Sequence, residues 1–246
     1  MTNNELKERF NLRYNNALEG APGLDDFEIS SYLTISQEEK VKEYYDIDKD
    51  PTSSFELKER SRRVLSELVK NEVLTTPISS TRGLVDDSKF FELNGDPMFI
   101  VLEFLKLKST DKVYNGKIVD VKPITHDDFL VDFRNPFRKP NKNKAWRVDI
   151  SKENSKTVVE IIAAVDISQY QVRYISFPSP IVLTNFEKDE EFAGLGLTVN
   201  GVNEVTECKL STQIHNEIVD RAVELACLDY NKSTDLQARV SLNNRI

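Results

Sequence analysis

The chain has 246 residues, a net charge of -8, a pI near 5.0 and a mean hydropathy of -0.45, a length at which folding hides roughly 70–75% of the unfolded surface without staples. The acidic balance argues against a general nucleic-acid binder, which needs a basic surface to neutralise phosphates. A membrane helix is also excluded, because the densest apolar stretch, Met98–Leu107, is interrupted by Glu103 and Lys106 and falls short of the roughly 20 residues a span requires.

The chain starts with MTNNELKERF, which lacks the apolar core of a secretory signal. Thr2 and Glu5 have capping-box spacing, and Leu6, Phe10, Tyr14, Ala17 and Leu18 recur at helical intervals. Gly20, Pro22 and Gly23 stop that helix. Asp25 or Asp26 can cap a second one carrying Phe27, Ile29, Tyr32 and Leu33, and Ser36 with Glu39 repeats the box ahead of Val41, Tyr44 and Tyr45. Asp46–Ser54 reads as a loop around Pro51. Ser53 and Glu56 then open a helix bearing Val64, Leu65, Leu68 and Val69.

After Asn71 the composition turns to Val, Ile, Phe and Thr with Pro, Asn and Gly punctuation, which is strand-and-turn chemistry. Strands are expected at Phe99–Lys106, Lys117–Pro123, Ala145–Ser151, Thr157–Ala163, Gln171–Phe177 and Ile181–Leu183. The alternation in Gln171–Phe177 predicts one solvated or contacting face, and Pro178 and Pro180 belong at a strand end or sheet edge. Ile214, Ile218, Ala222, Leu225 and Ala226 form a last helical stripe. Cys227 falls on that apolar face and reads as a buried thiol; with Cys208 it is too little for a disulfide framework or a zinc knuckle, and suits a reducing cytoplasm. Residues 231–246 are polar with scattered apolar side chains and have little reason to fold alone.

These elements predict an α+β protein in which N-terminal helices and a C-terminal helix form a small bundle around an inserted, mainly antiparallel β domain. The expected division is a helical region 1–72, a β-rich region 73–205, a C-terminal helix 206–230 packed on the N-terminal helices, and a tail 231–246 that can serve as an intersubunit arm.

Chemistry-bearing motifs are few, so no catalytic residue, cofactor or metal site is expected. Gly194-Leu195-Gly196 lacks the third glycine of a nucleotide loop and follows the acidic run Glu187–Glu191, which would repel phosphate. His126-Asp127-Asp128 could serve acid–base chemistry, but consecutive side chains diverge; a turn capped by Thr125 or Asp127 is the simpler reading. The segment from Arg134 to Arg147 is the most unusual. Arg134, Arg138, Lys139, Lys142, Lys144 and Arg147 give six positive charges and no acid, with Phe137 and Trp146 beside them. It can dock on an acidic neighbouring subunit, track a nucleic-acid backbone, or stand as a solvated loop. Docking would set it against Asp86-Asp87 or Glu187–Glu191.

Four ordered blocks carry a family resemblance. They are Ala21-Pro22-Gly23-Leu24-Asp25-Asp26-Phe27-Glu28-Ile29; Pro123-Ile124-Thr125-His126-Asp127-Asp128 leading to Asn135-Pro136-Phe137-Arg138; Arg173-Tyr174 with Pro178-Ser179-Pro180-Ile181; and Ile214-His215-Asn216-Glu217-Ile218-Val219-Asp220-Arg221-Ala222. Together they resemble the head-to-tail connector ring proteins of crAss-like, Bacteroidetes-infecting tailed phages. The resemblance implies a structural virion protein rather than an enzyme, placed in the neck after assembly in the host cytoplasm. It also implies a closed ring of about twelve copies that meets the portal and other neck or tail proteins and lets genomic DNA pass without sequence-specific binding. Another virion role, in the tail or inside the particle, is the alternative, followed by a nucleic-acid-binding module.

Overall fold

A computed structural model describes residues 1–18, 20, 22–45, 59–79, 83–153 and 156–243, with 150–153 and 233–243 as backbone alone. It divides into two compact units, Met1–Leu68 with Pro178–Ile246, and Val69–Phe177. The class is α+β, as the alternation of helical and strand patterns predicts.

In the first unit, helix α1 (Asn3–Ala17) begins in a complete capping box: Thr2 Oγ1 accepts from Glu5 N at 3.3 Å and Thr2 N donates to the Glu5 carboxylate at 3.0 Å. Its stripe Leu6, Phe10 and Tyr14 is buried. Asp25 makes the same reciprocal arrangement with Glu28 and starts α2 (Asp26–Tyr45), so of the two candidate caps it is Asp25 that works. α2 runs straight through Ser36. The hydroxyl expected to start a new turn instead donates to the Ile218 carbonyl at 2.6 Å, so two expected helical pieces are one. The capping box expected at Ser53 and Glu56 lies outside the described residues. α3 (Glu59–Leu65) follows and ends in a 3-10 turn, Ser66–Leu68.

Ile181–Leu183 is not a ladder strand. Only Val182 pairs, in an isolated bridge with Thr206. The neighbouring backbone groups are satisfied by helix side chains: Gln37 Nε2 donates to the Ser179 carbonyl, Thr34 Oγ1 accepts from Ile181 N, Ser30 Oγ accepts from Leu183 N, and Asn3 Nδ2 donates to the Val182 carbonyl. That is why α2 buries Ser30, Thr34, Ser36 and Gln37: each serves a backbone group that would otherwise be orphaned away from water.

The second unit is a seven-stranded sheet made of β1 (Val69–Leu74), β2 (Lys89–Glu92), β3 (Pro97–Leu107), β4 (Ile118–Pro123), β5 (Lys144–Glu153), β6 (Lys156–Ile162) and β7 (Ile167–Ser176). The spatial order is β1-β7-β3-β4-β5-β6-β2. Every pairing is antiparallel except β4 with β5, which are parallel and joined by helix α4 (His126–Arg134). One face carries Phe91, Leu105, Val121, Ala145, Val159, Tyr170, Val172 and Tyr174, all buried. The sheet curls over this face: Phe91 of β2 and Tyr170 of β7 meet at 5.4 Å although four strands separate theirs, and Asn94 N donates to Glu72 of β1. The opposite face buries Phe129, Trp146, Val148 and Ile162, so α4 is the cover of the parallel crossover.

The last helix, α5 (His215–Asn243), buries Ile218, Val219, Ala222 and Ala226, and packs on α1 and α2 in the first unit. It continues well past residue 230, where sequence composition ended it.

Candidate assembly interface

Thr125 is the N-cap of α4, accepting from Asp128 N at 3.2 Å and donating to the Asp128 carboxylate at 2.9 Å. The expected turn at His126-Asp127-Asp128 is therefore the first turn of a helix, where acidic side chains complement the dipole. His126 Nε2 donates to the Asp149 carbonyl of β5 at 3.0 Å. No group of three His, Cys, Asp or Glu among the described residues is placed to hold a metal ion.

α4 is amphipathic in an unusual sense. Phe129 and Asp132 face inward and are buried, whereas Leu130, Val131 and Arg134 face outward. Phe129 meets Trp146 edge-on at 6.1 Å and stacks with Phe133 at 5.4 Å. Asp132 accepts from Arg138 Nη1 at 2.8 Å, and that contact with a guanidinium holds its carboxyl below the usual range. Leu130 is 59% exposed, Val131 65%, and Phe137, just beyond the helix, 92%. Large apolar side chains so concentrated on a surface mark an interaction site more often than solvent.

The basic segment divides three ways. Trp146 and Arg147 leave the candidate contact set: both lie in β5 and are buried, Trp146 under α4 and Arg147 on the opposite, curled face. Arg147 Nη1 donates to Glu103 Oε1 at 2.9 Å, its Nε lies 2.9 Å from Asp149 Oδ1, and Tyr170 Oη donates to Glu103 Oε2 at 3.0 Å. Burial pushes the Glu103 carboxyl up against the lowering pull of Arg147. For Arg147 the two carboxylates outweigh burial and keep it charged. Arg138 is committed to Asp132, and Lys142 sits 4.3 Å from the Tyr114 ring centroid as a cation–π pair. Arg134 and Lys139 are exposed and make no ion pair among the described residues; Lys144, half-buried at the start of β5, makes none either. The sequence reading missed Leu130 and Val131, which carry no signal beyond being apolar on the outer side of a short helix.

An α+β scaffold whose most distinctive surface is an outward apolar and cationic patch belongs with proteins that act by assembly. The family model described as phage tail ring protein 3/4 matches residues 1–238, and the chain belongs to that family, a structural one of phage particles. It is 34% identical to Ring protein 3 of Bacteroides phage crAss001 over 237 residues, covering 95% of this chain and 98% of that protein. Ring protein 4/5 of the same phage is 32% identical over 257 aligned positions, covering 100% and 99%. No helix among the described residues is long and apolar enough to cross a membrane.

Proposed function

We propose that this protein forms a ring of the head-to-tail connector, beneath the portal, around the channel through which the genome passes. The carrying observation is that the match to the ring family runs over residues 1–238, both units included. A closed ring of about twelve copies requires two different, complementary faces on each subunit. Arg134, Phe137, Lys139, Lys142 and Lys144 supply part of one such face, with Leu130 and Val131. The net charge of -8 favours a lumen that repels phosphate and lets DNA slide, since tight cationic binding would brake it.

Quantitative mass spectrometry of purified particles, normalised to the portal subunit, tests this. A ratio near one is expected. A ratio several-fold larger moves the protein to the tail, and absence from particles ends the structural assignment.

A further inference from the structure

Beyond the outward face of α4, a second surface of the chain has matching chemistry. In the first unit the segment after Phe186 exposes Glu187, Glu190 and Glu191. Glu190 and Glu191 make no ion pair among the described residues. The segment turns through Gly194 and Gly196, both at positive φ (84° and 65°), and leaves Leu195 64% exposed. Neither glycine has an atom within 4 Å of where a Cβ would stand. The result is a hollow of about 410 Å³ lined by Phe186, Leu197, the two glycines and Asn203, with Glu187 at its edge. Its lining is apolar at Phe186 and Leu197, polar at Thr198 and Asn203, and acidic at Glu187, while Glu190 and Glu191 stand exposed further back on the same segment. Phe137 is the inverse: an aromatic side chain 92% exposed, flanked by the uncommitted cations Arg134 and Lys139.

We propose that Phe137 of one copy seats in the Phe186–Leu197 hollow of the next, with Arg134 and Lys139 against Glu187, Glu190 and Glu191. This rests on the ring reading above and names the contact that closes the ring. The two surfaces differ, so the contact is heterologous and propagates from copy to copy, which is what a ring demands and a two-fold dimer does not. Its composition also matches the energetics of interfaces: a central aromatic anchor fills a pocket and charges on the rim set register. A second copy is the occupant because both halves, apolar centre and opposite-sign rim, are present on this one chain.

The experiment uses the purified full-length chain, with native mass spectrometry and sedimentation as readouts. Retained Trp146 fluorescence serves as the check on folding, since the altered positions are exposed. The wild type is expected to form rings. Phe137→Ser, and separately Glu190→Lys with Glu191→Lys, should each weaken association roughly thirtyfold or more, the scale of a lost interface anchor. Mixing these two defective variants should give dimers and stop there, because only one intact hollow–anchor pair can form between them. Combining Arg134→Glu and Lys139→Glu with the two lysine replacements in one chain should restore rings. Wild-type rings left unchanged by every variant would overturn this contact while leaving the ring reading intact. A wild type that stays monomeric at all concentrations would overturn both. Variants that form normal rings but no longer enter particles would assign the surface to a different neck protein and refute the second-copy assignment.

Discussion

Replacing Arg147 by methionine tests the energetics of the curled sheet. Side-chain exposure decides the magnitude. Arg147 and Glu103 are 9% and 7% exposed, whereas the surface pair Arg63–Glu59 is 69% and 68% exposed. A surface pair contributes about 0–1 kcal/mol, but removing one partner of a buried pair strands the other charge and costs about 3–5 kcal/mol. Methionine keeps the length and apolar stem of the side chain, so most of the loss is electrostatic. For a chain of this size each kcal/mol is about 2–4 °C in Tm, so Arg147→Met should lower Tm by roughly 6–20 °C. Equilibrium unfolding followed by Trp146, the single tryptophan and fully buried one residue away, measures it directly. Adding Glu103→Gln should recover more than half of the loss, because the stranded charge disappears while the amide can still accept from Tyr170. The pH dependence has a definite sign. Burial already raises the Glu103 pKa, and without Arg147 only the Tyr170 hydrogen bond still opposes it. A folded-state pKa raised above the unfolded value adds stability at low pH that is lost as pH rises through the folded pKa. The deficit of Arg147→Met should therefore shrink on acidification toward pH 4–5. A cost below about 1 kcal/mol, or strict additivity of the two substitutions, would refute the reasoning.

Other outcomes follow from single contacts. Burial pushes the Cys208 thiol up to about 11, so at pH 8 its alkylation should run roughly a hundredfold slower than that of a free thiol of pKa about 8.5; labelling at the ordinary rate would contradict it. His215 donates from Nε2 to the Leu210 carbonyl at 2.8 Å, faces the Met1 amine at 3.1 Å, and is held below its usual pKa mainly by burial. The stability tied to its neutral ring is then full above about pH 6.5 and falls as pH drops through the folded pKa. His215→Gln should flatten that part of the curve, measured by denaturant midpoints between pH 5 and 8. Gly95→Ala would put a Cβ onto Tyr174 Oη, which donates to Glu72; a loss of about 1–3 kcal/mol is expected, the usual scale of overpacking, and thermal unfolding reads it.

Much of the helical unit was legible because its signals are local. The Thr2–Glu5 box, the Leu6–Phe10–Tyr14 stripe and the Ile218–Ala222–Ala226 stripe depend only on helical spacing. β3 to β7 announced themselves through β-branched and aromatic runs. What failed has physical causes. The first part of Val69–Leu74 follows a helix and mixes charged with apolar residues, so the predicted helical region runs through residue 72, but pairing with β7 makes the whole segment an edge strand. α4 was missed because two of its apolar residues face outward and an aspartate faces inward, which defeats the period. Ile181–Leu183 has strand composition, yet apart from the Val182–Thr206 bridge its backbone is bonded by side chains of α1 and α2, which no local pattern encodes. Trp146 and Arg147 looked like the end of a basic loop. Strand alternation alone would put one of them outside; the curl buries both. One available signal went unused: Asn200-Gly201, the strongest two-residue hairpin pair, does form a tight turn, with both residues at positive φ and reciprocal bonds between Val199 and Val202.

The helical unit is built from both ends of the chain, with 109 residues of sheet, Val69 to Phe177, between its parts. On the ribosome this imposes an order of events. At about 5–20 residues per second, roughly 10–30 s pass between the emergence of α2 and that of α5, which α2 packs against. The sheet is contiguous and has everything it needs to fold during that wait. The N-terminal helices do not, and their apolar stripes stay available to chaperones until synthesis is nearly complete. A prematurely terminated chain thus carries a complete sheet but a bundle without its last helix.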